Sequence, residues 1–131
     1  MSFTVQLVSP EQVLYEGEAD MVVCRTLGGG DIAFLEGHAP FLGALAIWPV
    51  RLKTADGEVS FASHGGFVQV GSGGVIVLSD VAELAADIDI ERARRALTAA
   101  EAALGTDADD LDAAAAAQRA RVRLEVAAAT Q

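Results

Sequence analysis

His38 and His64, taken with Cys24, Asp31 and Asp80, carry the imidazole, thiol and carboxylate groups from which a zinc centre is built. No two of them stand at short ligand spacing and His64 falls in a turn, so both histidines read as structural. A metal hydrolase on this chain would need zinc in stoichiometric amount. Ser63-His64 and Ser79-Asp80 set nucleophile and base types side by side, yet no nucleophile elbow or ordered triad surrounds them. Gly28-Gly29-Gly30 and Gly71-Ser72-Gly73-Gly74 lack the lysine and following helix of a phosphate loop, and read as turns.

The elements that would position these groups fall into two kinds, with a seam near Leu84. All glycines but Gly105, and all three prolines, precede it; alanine dominates after it, with an unbroken run from Ala113 to Ala117. Glycine-punctuated alternation favours short strands, and alanine without proline favours helix. In the first module Phe3, Val5 and Leu7 alternate with polar neighbours, followed by runs at Val13–Tyr15, Met21–Leu27, Ile32–Leu35, Leu42–Trp48, Val50–Lys53, Val59–Phe61, Phe67–Val70 and Val75–Leu78. Asp56-Gly57 between alternating stretches marks a hairpin, because such a turn needs positive φ. Eight to ten short strands at this spacing predict a β-sandwich or flattened barrel over residues 1–86.

Residues 87–131 predict an antiparallel helical hairpin. Asp87 or Asp89 caps the first helix, whose stripe is Ile90, Ala93, Leu97, Ala100 and Leu104, and Gly105 ends it. Asp107 or Asp109 starts the second, with Leu111, Ala115, Gln118, Val122 and Val126 as its stripe. A buried Leu or Val contributes about 1.5–3 kcal/mol and an alanine methyl only about 0.8 kcal/mol, so the hairpin's grip on the sandwich is thin. High helicity with thin packing suits a segment that changes what it packs against; a permanently docked hairpin is the plainer alternative.

The formal charge is −10 over 131 residues, which disfavours nucleic acid and anionic lipid as partners. Residues 1–86 hold Arg25, Arg51 and Lys53 against ten carboxylates, whereas residues 87–131 hold six arginines against nine, so cationic groups concentrate in the tail. Cys24 is alone, which excludes an internal disulfide and points to a reducing compartment. No signal-peptide pattern opens the chain and no apolar run reaches roughly 20 residues, so no direct membrane insertion is expected.

Gly30-Asp31-Ile32-Ala33-Phe34-Leu35-Glu36-Gly37-His38-Ala39-Pro40 resembles a loop of the epsilon subunit of bacterial F-type ATP synthases. Val8-Ser9-Pro10-Glu11, Gly65-Gly66 before Phe67-Val68-Gln69-Val70, and Val77-Leu78-Ser79-Asp80-Val81-Ala82-Glu83 resemble the same family, in order and spacing, over essentially the whole chain. The family usually has glycine where Ala33 sits and proline where Glu36 sits.

The resemblance implies a non-catalytic central-stalk (rotor) subunit that couples c-ring rotation to the catalytic complex. Its expected partners are the gamma subunit, the c-ring and the alpha and beta catalytic subunits, at the cytoplasmic face of the bacterial cell membrane. Glu36, Gly37, His38, Ala39 and Pro40 would form the contact loop for c-ring or gamma, with an apolar strand face around Leu42 to Trp48 against gamma. The hairpin would fold down on the sandwich or extend along gamma, the extended form restraining ATP hydrolysis. Arg119, Arg121 and Arg123 would then pair with carboxylates of a catalytic subunit. Ile88-Asp89-x-x-Arg92-Ala93, with Glu83, resembles an ATP-binding signature of some members, which makes an ATP-sensing module the alternative. Ala99 stands where those relatives supply an arginine, so ATP is expected to bind weakly or not at all. Asp89 as a plain helix cap, with Arg92 paired to a nearby carboxylate, is the competing expectation.

Overall fold

The computed structural model describes residues 2–129. Its strands are β1 (Phe3–Val8), β2 (Val13–Ala19), β3 (Met21–Arg25), β4 (Asp31–Leu35), β5 (Phe41–Ala44), β6 (Ile47–Thr54), β7 (Gly57–His64), β8 (Phe67–Gly71), β9 (Gly74–Leu78) and β10 (Ala82–Leu84). A short 3-10 turn at Ala85–Asp87 then leads into α1 (Ile90–Thr106) and α2 (Leu111–Ala129). The strands form two five-stranded sheets, ordered β2-β1-β9-β8-β5 and β10-β7-β6-β3-β4. All pairings are antiparallel except β1 with β9.

Alternation decides which face of each strand is buried, since successive side chains point to opposite sides. Val5 and Leu7, Val68 and Val70, and Val75 and Val77 line the inside of the first sheet. Val22 and Cys24, Phe34, Val50 and Leu52, and Phe61 meet them from the second. This is the sandwich with a helical-hairpin tail that the sequence predicts.

Local departures have local causes. The stretch Leu42–Trp48 is not one strand: β5 belongs to the first sheet and β6 to the second, and the chain crosses between them at Leu45 and Ala46. Pro49 is tolerated within β6 because β3 pairs only with Arg51 to Lys53, leaving no ladder bond for the missing N–H to break. The β6–β7 turn centres on Ala55-Asp56, with Thr54 opposite Gly57, so the positive φ falls on Gly57 after the turn. Two glycines are sterically fixed. A Cβ on Gly66 (φ 108°) would enter the carbonyl of Leu78, and one on Gly74 (φ 125°) the carbonyl of Thr4.

The helices start and stop where their backbone groups find partners. Asp89 caps α1, its Oδ1 accepting the Arg92 N–H at 3.0 Å. Helix α1 runs one residue past Gly105 to Thr106, and Gly105 has no positive φ to end it. Asp110, rather than Asp107 or Asp109, caps α2 by accepting the Ala113 N–H at 3.0 Å. Asp107 instead accepts from the Asp109 N–H within the turn. The stripe of α1 falls as expected. That of α2 is displaced, because Leu111 is 82% exposed whereas Val122 and Val126 are buried.

Candidate functional site

The hairpin rests on the outer face of the second sheet, with α2 against β6 and β7. The apolar contact is small: Ala62 of β7, Ile88, Val122, Val126 and Ala127, flanked by Ile47, Ala85 and Ile90. The other helical residues buried among those described are all alanines, Ala93, Ala100, Ala113, Ala117 and Ala120. The two helices therefore approach each other through methyl groups, and hydrophobic burial holds them to the sandwich only lightly.

Polar contacts supply the rest of the grip. Gln118 Nε2 donates to the Ile47 carbonyl of β6 at 3.2 Å. Glu83 on β10 stands across from Ala62 on the outer face, and its Oε1 accepts from two elements at once. Arg123 Nε of α2 donates to it at 2.5 Å, and His64 Nε2 of β7 lies 3.0 Å away. Burial would raise the Glu83 carboxyl, but the bonds from Arg123 and His64 outweigh it and hold the group below its ordinary range. For His64 burial dominates and lowers it; the Glu83 bond pulls upward, and Arg123 and Arg119 push down again. These three residues, nineteen and forty positions apart along the chain from Glu83, meet only through the tertiary fold.

Beside this cluster lies a cleft of about 210 Å³ lined by Glu83, Asp87, Asp89, Arg92, Ala93, Ala96 and Arg123. It gathers most of the suspected nucleotide-binding residues but not Ile88, whose side chain is buried in the hairpin's apolar contact. Asp89 acts as a helix cap. Arg92 is exposed, and its guanidinium has no carboxylate within 4.0 Å among the described residues, so it lacks the ion pair expected of it. Of the other tail arginines, Arg121 faces Glu101 of α1 at 3.7 Å and Arg119 is half-buried near His64.

Two further surfaces belong to the sandwich. Glu36, Gly37, His38, Ala39 and Pro40 are all exposed and carry the chain from β4 in one sheet to β5 in the other. The His38 N–H donates to Leu35 O at 3.1 Å, its ring meets Phe34 edge-on at 4.7 Å, and Gly37 takes positive φ. Across the outer face of the first sheet, Val13, Val8, Leu78, Phe67 and Ala44 stand directly opposite one another on five successive strands. Val13, Leu78 and Phe67 are exposed, as are Leu42 and Ile76 in the next row. No described element covers this band, a larger apolar area than scattered surface residues make. Leu42 lies on this face, while Trp48 belongs to the opposite sheet.

The remaining chemical candidates are dispersed or occupied. Burial pushes the Cys24 thiol up to about 11, with Asp31 adding to the rise, so it is a poor nucleophile. Ser63 Oγ donates to Gly65 O, and Ser79 Oγ to Gly65 O and Val81 O, which ties both hydroxyls into the β7–β8 turn. Among the described residues, no three His, Cys, Asp or Glu side chains are grouped to hold a metal ion, and no helix is long and apolar enough to cross a membrane.

Residues 2–85 match the family model for the β-sandwich domain of the ATP synthase delta/epsilon chain. The chain is 43% identical over 125 residues to an ATP synthase epsilon chain of Streptomyces griseus, covering 95% of this chain and 94% of that one. It is 46% identical over 132 residues to the epsilon chain of Thermobifida fusca, covering 97% and 93%. Its fold is similar to that of a chain in the mitochondrial ATP synthase of Euglena gracilis, with a TM-score of 0.70 and 22% identity over 99% of this chain and 82% of that one.

A double-mutant cycle on Glu83→Ala and Arg123→Ala, read from the docking equilibrium of α2, measures the contact between β10 and α2. The expected coupling is about 1–2 kcal/mol, at the low side for charged hydrogen bonds because each side chain keeps contact with water. A coupling under about 0.3 kcal/mol would show that the pair contributes nothing to docking.

Proposed function

From the premise that this chain belongs to the ATP synthase delta/epsilon family, we propose that it is a non-catalytic subunit of the central stalk, coupling c-ring rotation to the catalytic complex and restraining ATP hydrolysis through its hairpin. One observation carries the regulatory half of this reading. The hairpin meets the sandwich through a few small apolar side chains and a shared carboxylate, while the sandwich keeps its own separate core. Releasing the hairpin exposes little apolar surface and leaves that core intact.

The coupling half uses the two open surfaces. The apolar band from Val13 to Ala44 supplies a face for the gamma subunit, and Glu36 to Pro40 a polar loop for the c-ring. On this reading the chain works at the cytoplasmic face of the bacterial membrane, held there by protein partners. When α2 leaves the sandwich, Arg119, Arg121 and Arg123 become available to carboxylates of an alpha or beta subunit. Arg123 faces Glu83 of the sandwich, so release frees it for a new ion pair, while Arg121 faces Glu101 within the hairpin itself.

A nucleotide at the seam is proposed to bind weakly or not at all. Three carboxylates (Glu83, Asp87 and Asp89) line the cleft against two guanidiniums, and Arg123 is already committed to Glu83. That leaves Arg92 alone to offset a triphosphate. Isothermal calorimetry with ATP is expected to show no binding tighter than micromolar; sub-micromolar affinity would overturn this.

Hydrolysis by the cognate catalytic complex, with the full chain and with a chain ending at Ala86, tests the main proposal. The shortened chain is expected to bind gamma as the full chain does while hydrolysis rises several-fold. Adding Phe67→Asp to it is expected to weaken gamma binding at least tenfold, since a charge would be buried in an apolar contact. Equal hydrolysis with both lengths would contradict the regulatory role, and unchanged gamma binding by Phe67→Asp would move the interface elsewhere.

A further inference from the structure

His64 sits on β7 beneath α2, its side chain only 2% exposed. Its Nε2 faces a carboxylate oxygen of Glu83 that can only accept, so the single proton of the neutral ring lies on Nε2. The other nitrogen, Nδ1, is then a bare acceptor, buried and without a hydrogen-bond partner. The charged groups facing the ring are Glu83 from β10 and Arg119 and Arg123 from α2. On β6 the cross-strand partner is the uncharged Ile47.

A second proton on this ring has nowhere favourable to go. On Nδ1 it would be a buried donor without an acceptor, and it would add a cation near the guanidiniums of Arg119 and Arg123, the second of which already occupies the Glu83 carboxylate. Lifting α2 removes both problems, because Nδ1 then meets water and the two arginines move away. We propose that the His64–Glu83–Arg123 cluster is a proton-sensitive latch: protonating His64 releases α2 from the sandwich, and deprotonating it allows the hairpin to close again. This deepens the regulatory reading given above and rests on it for its consequence in the enzyme.

The direction follows from the difference between docked and released states. Burial keeps the docked ring below its ordinary value of 6.5, against the pull of Glu83. The released ring is open to water and titrates near 6.5. The released state therefore takes up the proton more readily, and docking is strongest above about pH 6.5. As the pH falls from there toward the docked-state value, the docking constant drops by up to about tenfold per pH unit. Glu83, held below its ordinary 4.5 by Arg123 and His64 despite burial, acts in the same direction only in stronger acid. In the assembled enzyme, mild acidification would enlarge the released population and deepen the restraint on hydrolysis.

Methyl NMR of Val122 and Val126 in the full chain, from pH 8 to 5.5, gives the docked fraction, and the His64 ring is followed in the same samples. The expected result is a several-fold fall in the docking constant, with His64 titrating below 6.5. His64→Gln, whose amide still donates to Glu83 but does not titrate, is expected to dock at every pH. A docked fraction independent of pH, or the same dependence in His64→Gln, would overturn the latch. Should that variant fold poorly, the ring titration of the unaltered chain decides, since a value at or above 6.5 also overturns it. If docking follows pH but hydrolysis by the assembled complex does not, the latch stands and the regulatory reading fails.

Discussion

A single carboxylate oxygen joins three elements of this molecule. Glu83 Oε1 ties β10 to His64 of β7 and to Arg123 of α2, where the two modules meet. The arrangement matters because little else spans that boundary: two valines, three isoleucines and three alanines make up the apolar contact. Where hydrophobic burial is small, a charged hydrogen bond becomes a large fraction of the total. The position of the hairpin is therefore set by chemistry that responds to charge rather than by area.

The sandwich depends on no such contact. Phe34, Phe61, Leu7, Leu52 and a set of valines fill its interior to complete burial, drawn about equally from both sheets. It can present one face to the hairpin and leave the opposite face and the Glu36–Pro40 end open for partners. A rigid body with a lightly attached arm is what a subunit needs if one part transmits force while another changes place.

The sandwich was readable because its signals are local. Alternation at Val5 and Leu7, Val22 and Cys24, or Val75 and Val77 needs only a period of two, and the Asp89 cap needs only three residues. Legibility failed where a choice depended on tertiary partners. Three aspartates compete to begin α2, and Asp110 is chosen by the turn that Asp107 makes. Leu111 fits the helical period, yet the part of α2 that reaches the sheet lies further along, so it is left in water. The crossing at Leu45 and Ala46 hides within an unbroken apolar run. The seam was half legible: Glu83 and Arg123 were each singled out, but for separate roles, and His64 read as a turn residue. Only pairing between β10 and β7, with α2 laid across them, brings the three together.

On this reading the hairpin detaches as a unit from a sandwich that stays folded. Native-state hydrogen exchange measures this most directly, by comparing opening free energies of α2 amides with those of Val22, Leu52 and Val77 in the core. The α2 amides near Val122 and Val126 are expected to open together at a distinctly lower free energy than the core strands. A single value shared by helix and core would mean that the chain opens only as a whole, and would contradict that reading.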